Sequence, residues 1–325
     1  MGTLVKKPAV TKALSLALVF LVVQALLWTG VLNDYYFATL VTICINIILA
    51  VSLNLITGFT GQFSLGHAGF MSIGAYTCAI FMMHVPATWG VWAFLAGLFL
   101  GAIAAGVVGL LVGLPTLRLR GDYLAIATLG LAEIIRVIFV NLEITNGAAG
   151  LSGIPRYVNW IWLFIFTVGV VLLIVNFLKS SHGRACISIR EDEIAADTMG
   201  INTTKYKVIA FIIGALCAGV AGALYASYFY VLKPELFGFL KSIDILVIVV
   251  FGGLGSVSGS ILAAIVLALI SSFLQSFAEI RMVLYALMLI IIMIFRPQGL
   301  MGSREVSFGL LKKLGGGLTS IKKRV

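Results

Sequence analysis

Charge is what this sequence lacks most. Only 10% of its 325 residues are Asp, Glu, Lys or Arg, against about 25% in an average soluble domain. With 61% apolar residues and a mean hydropathy of +1.14, a water-soluble globule of this size is excluded. A soluble enzyme, a nucleic-acid-binding module and a secreted disulfide scaffold are excluded with it. Cysteine is scarce too: Cys44, Cys78, Cys186 and Cys217 share no CxxC spacing, so neither a disulfide framework nor a thiolate metal site is indicated. The histidines His67, His84 and His182 make no metal-ligand spacing. No GxxxxGK[ST] run and no Gly-Lys dipeptide occurs, which removes a P-loop for ATP phosphates. No Ser/His/Asp or Cys/His set shares a loop. An energised process in this chain must draw on a partner or on an ion gradient.

What is present is apolar runs. At about 20 residues per bilayer crossing, the runs 13–32, 37–56, 62–83, 89–114, 122–141, 159–178, 206–230, 241–255, 257–277 and 279–295 predict about ten transmembrane helices. They lack the alternation of barrel strands, so an all-α polytopic membrane protein is expected. The run from Ala13 to Val31, preceded by Lys6, Lys7 and Lys12, has no small-x-small cleavage site after it. It reads as a retained first helix with its N-terminus in the cytoplasm.

Charge placement supports that topology. The net charge of +10 reflects basic residues gathered in cytoplasmic loops rather than a nucleic-acid partner. Arg118 and Arg120, then Lys179, Arg184, Arg190 and Lys205, then the tail with Arg296, Arg304, Lys312 and Lys313 all fall on the N-terminal side. The chain therefore divides into an N-terminal segment 1–12, a transmembrane body 13–302 with a cytoplasmic loop 179–205, and a basic tail 303–325. Ten crossings split into two five-helix halves of opposite orientation, an inverted repeat in which Gly-rich helices are broken. Glycine clusters mark the third crossing of each half, although both fall nearer the cytoplasmic side. Small residues recur every four positions in Gly97, Gly101, Ala105, Gly109 and Gly113, in Gly214, Ala218, Gly222 and Ala226, and in Ser64, Ala68 and Ser72. Such stripes lie on one helix face and let membrane helices touch backbone to backbone.

Three polar regions stand out. The first carries Asn54, Thr57, Gly58, Gly61, Gln62, Ser64 and His67. Polar groups at membrane depth either bond between helices or line a wet path, and both readings stand here. His67 has no acidic partner in its crossing, so it reads as a structural hydrogen-bonding residue rather than a proton relay. The second is the loop with Arg190, Glu191, Glu193, Ala195, Ala196 and Gly200. It reads as a short amphipathic helix with a Gly stop, followed by a helix start capped at Asn202. Its apolar Ile194, Met199 and Ile201 suit a partner surface. The third is Gly252, Gly253, Gly255 and Ser256, preceded by Lys241 and Asp244, which read as a pair near the outer surface. Glu133 and Arg136, three apart, can pair inside the membrane.

The run from Asn54 to Tyr76, NLITGFTGQFSLGHAGFMSIGAY, resembles the signature of the LivM/LivH permeases, membrane subunits of ATP-binding-cassette importers for branched-chain amino acids. The segments 116–129, 190–196, 251–256 and 295–300 look like the LivM branch in particular. The resemblance covers about residues 38–302. It implies a LivH-like second permease subunit, two cytoplasmic ATP-binding subunits carrying ATP and magnesium, and an extracytoplasmic substrate-binding protein. It also implies a bacterial or archaeal cytoplasmic (inner) membrane, and no cofactor or catalytic residue on this chain. The family's cytoplasmic Glu-Ala-Ala-x-x-x-Gly motif matches Ala195, Ala196 and Gly200, with Ile194 in the Glu position and Glu193 displaced by one. The mechanism implied is alternating access. A urea or amide permease of the same family is the first alternative, and an ion-coupled carrier or channel the second.

Overall fold

The structure is a computed structural model that describes residues 7–30, 33–119, 121–274 and 299–302, together with positions 283, 287, 290 and 294. It is all-helical apart from one two-residue strand pair. The helices are α1 (Lys7–Trp28), α2 (Asp34–Asn54), α3 (His67–His84), α4 (Val91–Thr116), α5 (Asp122–Asn141), α6 (Trp160–Lys179), α7 (Ser181–Glu191), α8 (Glu193–Thr198), α9 (Thr203–Phe229), α10 (Phe239–Gly252) and α11 (Val257–Phe273). Strands β1 (Leu151–Ser152) and β2 (Val231–Leu232) pair antiparallel, Leu151 opposite Leu232. Five described stretches are long and apolar enough to cross a bilayer: α2 with its extension to Phe59, α4, α5, α6 and α9. The predicted crossing 279–295 and the tail 303–325 lie outside the described residues, save positions 283, 287, 290 and 294.

The small-residue stripes account for the centre of the bundle. In lipid, apolar surface gives helices no reason to associate, so close contact and backbone approach decide which helices meet. A Cβ on Gly74 of α3 would overlap the backbone of Gly219 on α9, and one on Gly101 of α4 would lie 2.6 Å from the Gly74 carbonyl oxygen. Gly109 of α4 meets Ala215, and Gly222 of α9 meets Met71 and Ala75. Thus α3, α4 and α9 form a three-helix centre joined through glycine. The third stripe is different. α3 begins at His67, so Ser64 precedes the helix and does not continue a face with Ala68 and Ser72. The predicted crossing 62–83 accordingly starts five residues late, because Gly61–Gly66 is a non-helical connection.

Hydrogen bonds fix the direction of the neighbours. Near the start of α2, Tyr35 Oη lies 2.8 Å from the Ser272 carbonyl at the end of α11. Near the end of α2, Asn54 Nδ2 donates to Ser260 Oγ at 2.7 Å, at the start of α11. The two helices run antiparallel in register over their whole length. The end of α9 sits at the Tyr35 end of the bundle, with Tyr228 edge-on to Phe37. The β1–β2 pair is at the same end.

α10 is a short helix whose C-terminal end is buried in the bundle and whose first residues, Phe239 and Leu240, are exposed. Its 14 residues span about 21 Å, less than the ~30 Å hydrocarbon thickness. Before it, Pro234–Phe237 dips inward, and Phe237 is buried against Tyr76 of α3 and Tyr225 of α9. The Glu133 carboxylate accepts the Phe239 N–H at 3.1 Å, so a residue of α5 satisfies an otherwise orphaned donor at the α10 N-terminus. The same carboxylate pairs with Arg136 at 2.7 Å. An anion there also complements the positive end of the helix dipole. At the other end, Leu300 N–H and Met301 N–H donate to the Phe251 and Gly252 carbonyls at 2.8 and 3.3 Å.

Candidate functional site

Both glycine clusters interrupt helices, and the two interruptions meet. α2 does not stop at Asn54 but widens into a π-helical turn, Leu55–Phe59. Such turns inside α-helices are frequent at functional sites because they release backbone groups from the i→i−4 ladder. Gly58 in this turn lies so close to Gly255 that a Cβ would overlap the Gly255 nitrogen. Gly255, between α10 and α11, has φ +84°, a conformation glycine adopts freely and other residues do not. The first cluster therefore lies in the α2–α3 junction rather than within the third crossing, and the second in the α10–α11 junction.

Asn54 ties these junctions together. Its Oδ1 accepts the Gly255 N–H at 2.9 Å. Its Nδ2 donates to the Ser256 carbonyl at 2.9 Å and to Ser260 Oγ at 2.7 Å, with the Gly253 carbonyl at 3.4 Å. An amide can both donate and accept, so one fully buried side chain serves the exposed peptide groups of a break almost 200 residues away in sequence. Ser256 Oγ caps α11 by accepting the Gly259 N–H at 3.1 Å. Gly252 abuts Gly259 and Ser260 at backbone contact, 2.6–2.7 Å for an added Cβ.

The other first-region residues go elsewhere. Thr57 Oγ1 donates to the Leu53 carbonyl of its own helix at 3.0 Å. His67 Nε2 lies 2.7 Å from Ser52 Oγ, joining α3 to α2. Ser64 Oγ accepts the Gly66 N–H at 3.4 Å, and Leu65 N–H donates to Thr128 Oγ1 of α5 at 3.1 Å. Gln62 is buried, and neither atom of its amide has a hydrogen-bond partner among the described residues. Beside it, Phe63 is 41% exposed. An open cavity of about 360 Å³, lined by Met82, Met83, Val85, Pro86, Ala93, Gly153, Pro155 and Tyr157, lies away from these junctions.

The 179–205 loop is two helices, not one. α7 ends at Glu191, and Asp192 in extended backbone caps α8 by accepting Ile194 N–H and Ala195 N–H at 2.9 and 3.0 Å. The Gly stop is present: Gly200 has φ +83°, with Gly200 N–H to Asp197 O and Ile201 N–H to Ala196 O closing the helix end. Asn202 caps α9 by accepting the Lys205 N–H at 3.0 Å. Glu193 pairs with Lys207 of α9 at 2.7 Å, pinning α8 to the bundle. Ala196 is buried beneath α8, while Ile194 and Met199 are 72% and 83% exposed. On α7, burial pushes the Cys186 thiol up to about 11, partly offset by its contact with Thr60.

Sequence reasoning missed Glu133 as a cap for α10, Lys207 as the partner of Glu193, and Ser260 as a partner of Asn54. The only available signal was the i, i+3 spacing of Glu133 and Arg136. Among the described residues, no group of three or more His, Cys, Asp or Glu could hold a metal.

Residues 35–293 match the family described as branched-chain amino acid transport system permease components. The chain is 36% identical to the high-affinity branched-chain amino acid transport system permease protein LivM of Escherichia coli, over 88% of this chain and 74% of that protein. It is 27% identical to the corresponding LivH protein of E. coli, over 80% and 92% of the two chains. BraD of Pseudomonas aeruginosa, a permease protein of the same description, is 31% identical over 49% of this chain and 53% of its own. No solved structure is similar to it.

Proposed function

The chain belongs to the family of branched-chain amino acid transport permeases, and from that membership we propose that it is the LivM-type permease subunit of an ATP-binding-cassette importer. It is a multi-pass inner-membrane permease for branched-chain amino acids. The observation that carries this is the match across residues 35–293, joined to similarity with both LivM and LivH.

Several finer features follow. We read ten crossings: α1 to α6, α9, α10 with its inward-dipping approach, α11, and the segment 279–295. Both termini are cytoplasmic, because the basic loops then share that side. The odd number of crossings per half keeps the inverted repeat, but the two glycine breaks meet at one end, so they are not each other's symmetry mates. A LivH-like subunit completes the permease. Two ATP-binding subunits dock on the cytoplasmic face of the permease pair, one of them on α8, whose outward Ile194 and Met199 are the apolar contact and whose Glu193 holds the helix in place. Arg190, Glu191, Ala195, Ala196 and Gly200 shape that same loop. A binding protein delivers the solute to the opposite end, and ATP with magnesium stays on the partner subunits, so this chain is not itself an enzyme.

The path runs along the junction of Asn54, Thr57, Gly58, Gly61, Gln62, Ser64, His67, Gly252, Gly253, Gly255 and Ser256. Broken helices offer backbone dipoles to a zwitterion, and apolar walls accept its side chain. Competition in the reconstituted complex tests the substrate: excess isoleucine or valine should suppress labelled leucine uptake and excess urea should not. Uptake of labelled urea without leucine uptake would reassign the chain to the amide branch.

A further inference from the structure

One side chain touches both glycine junctions. Arg190 stands on α7, two residues before the α8 cap Asp192. Its backbone and stem pass Gly61, where a Cβ would stand 3.4 Å from Arg190 Cα and 3.5 Å from Cγ. Its guanidinium reaches Gly255, where a Cβ would overlap Nη1 and stand 3.4 Å from Cζ. Both glycines have positive φ, +74° and +84°. Gly255 is also the donor to Asn54 and the neighbour of Gly58. The cation therefore sits where two helices end, the π-turn after α2 and α10. Their last carbonyls carry partial negative charge, which a guanidinium complements.

We propose that Arg190 is the positioning residue that transmits movement of α8 to the two broken helices. It acts through the junctions and not on the solute. This rests on the reading of α8 as the ATPase-docking helix. Only Glu191 and Asp192 separate Arg190 from α8, and two residues of chain allow little slack. A displacement of α8 then either lifts the guanidinium from Gly255 or carries the α10–α11 junction with it. The planar fork of Arg lies against Gly255 while its stem lies against Gly61, a geometry that the point charge of Lys does not reproduce. The absence of a side chain at Gly255 is what lets the guanidinium seat there, whereas a Cβ at Gly61 would make ordinary contact with the Arg190 stem.

The test uses the full importer, this chain with its permease partner, ATPases and binding protein, in proteoliposomes. Leucine uptake and phosphate release are read on the same preparation for wild type, Arg190→Gln and Arg190→Lys. Arg190→Gln should keep its ATPase subunits through purification while leucine moved per ATP falls about tenfold, within the range that one residue of a coupling network changes. Arg190→Lys should lose only about threefold, since it keeps the charge without the fork. An unchanged ratio in Arg190→Gln overturns the proposal. So does loss of the ATPases from that variant, because Arg190 would then belong to the ATPase contact itself. Should Arg190→Gln not assemble, a wild-type ratio in Arg190→Lys overturns the proposal and a lowered one supports it. The docking reading has its own control: an Ile194→Asp, Met199→Asp variant that retains its ATPases refutes docking on α8, whatever Arg190 does.

Discussion

Removing the Asn54 amide should loosen the junction between α2 and the α10–α11 break. In Asn54→Ala, the buried Gly255 N–H loses its partner, while the Ser256 carbonyl loses one donor and keeps the Ser260 N–H and Oγ, each at 3.1 Å. One orphaned N–H in a dry site costs about 1–3 kcal/mol. Hydrogen bonds between membrane helices average only about 0.6 kcal/mol, because the unfolded chain in lipid also finds partners. The middle of that range is the expectation, since three good bonds at that average give about 2 kcal/mol. Ser260 Oγ is less exposed to the loss because it also donates to the Ser256 carbonyl at 3.1 Å. Thermal unfolding in detergent measures this with a thiol-reactive dye, because Cys44, Cys78, Cys186 and Cys217 are all free and buried. Asn54→Ala, Ser260→Ala and the double variant form a cycle in which contacting residues give coupling of about 0.5–3 kcal/mol. A wild-type unfolding midpoint in Asn54→Ala, or strict additivity in the cycle, would refute the idea that this amide holds the two junctions together.

Four further outcomes are expected. Gly222→Ala should destabilise by about 1–3 kcal/mol, since the new methyl meets the Met71 carbonyl and lies 2.8 Å from Ala75 N. Gly130→Ala on α5 has nothing within 4 Å and should stabilise by up to about 1 kcal/mol through helix propensity, so equal shifts in the two melting curves would contradict the packing described. Glu193→Gln breaks a partly buried ion pair worth about 1 kcal/mol; hydrogen exchange should quicken in α8 while the global midpoint stays put. Cys186, with its thiol raised from 9.0 to about 11, should hold about 100-fold less thiolate at pH 7.5 than an ordinary thiol. Its maleimide labelling should lag far behind that of a cysteine placed at exposed Ala195, and equal rates would show that α7 does not shield it.

Much of the helical layout was legible because lipid imposes a length and a composition on every crossing. The stripes of α4 and α9 likewise pointed to the close contacts at Gly101, Gly109 and Gly222, whereas Gly74 and Gly219, whose backbones nearly touch, belonged to no stripe. The caps at Asn202 and the stop at Gly200 were readable for the same local reason. What escaped was non-local. Nothing near Asn54 announces Ser260 as its partner, and nothing near Phe239 announces Glu133 from 106 residues away. The start of α3 was misplaced because Phe63 and Leu65 continue the apolar run, whereas Gly61, at φ +74°, takes the chain out of helix until His67. The split of α7 from α8 at Asp192 was hidden because its neighbours are good helix formers.

The central claim is that this chain moves branched-chain amino acids only when partner ATPases drive it. Labelled leucine uptake into proteoliposomes measures this most directly, comparing the full complex with and without ATP against this chain alone under a proton or sodium gradient. Uptake should require the full complex and ATP, and stop when the ATPases are left out. Gradient-driven leucine uptake by this chain alone would contradict the account.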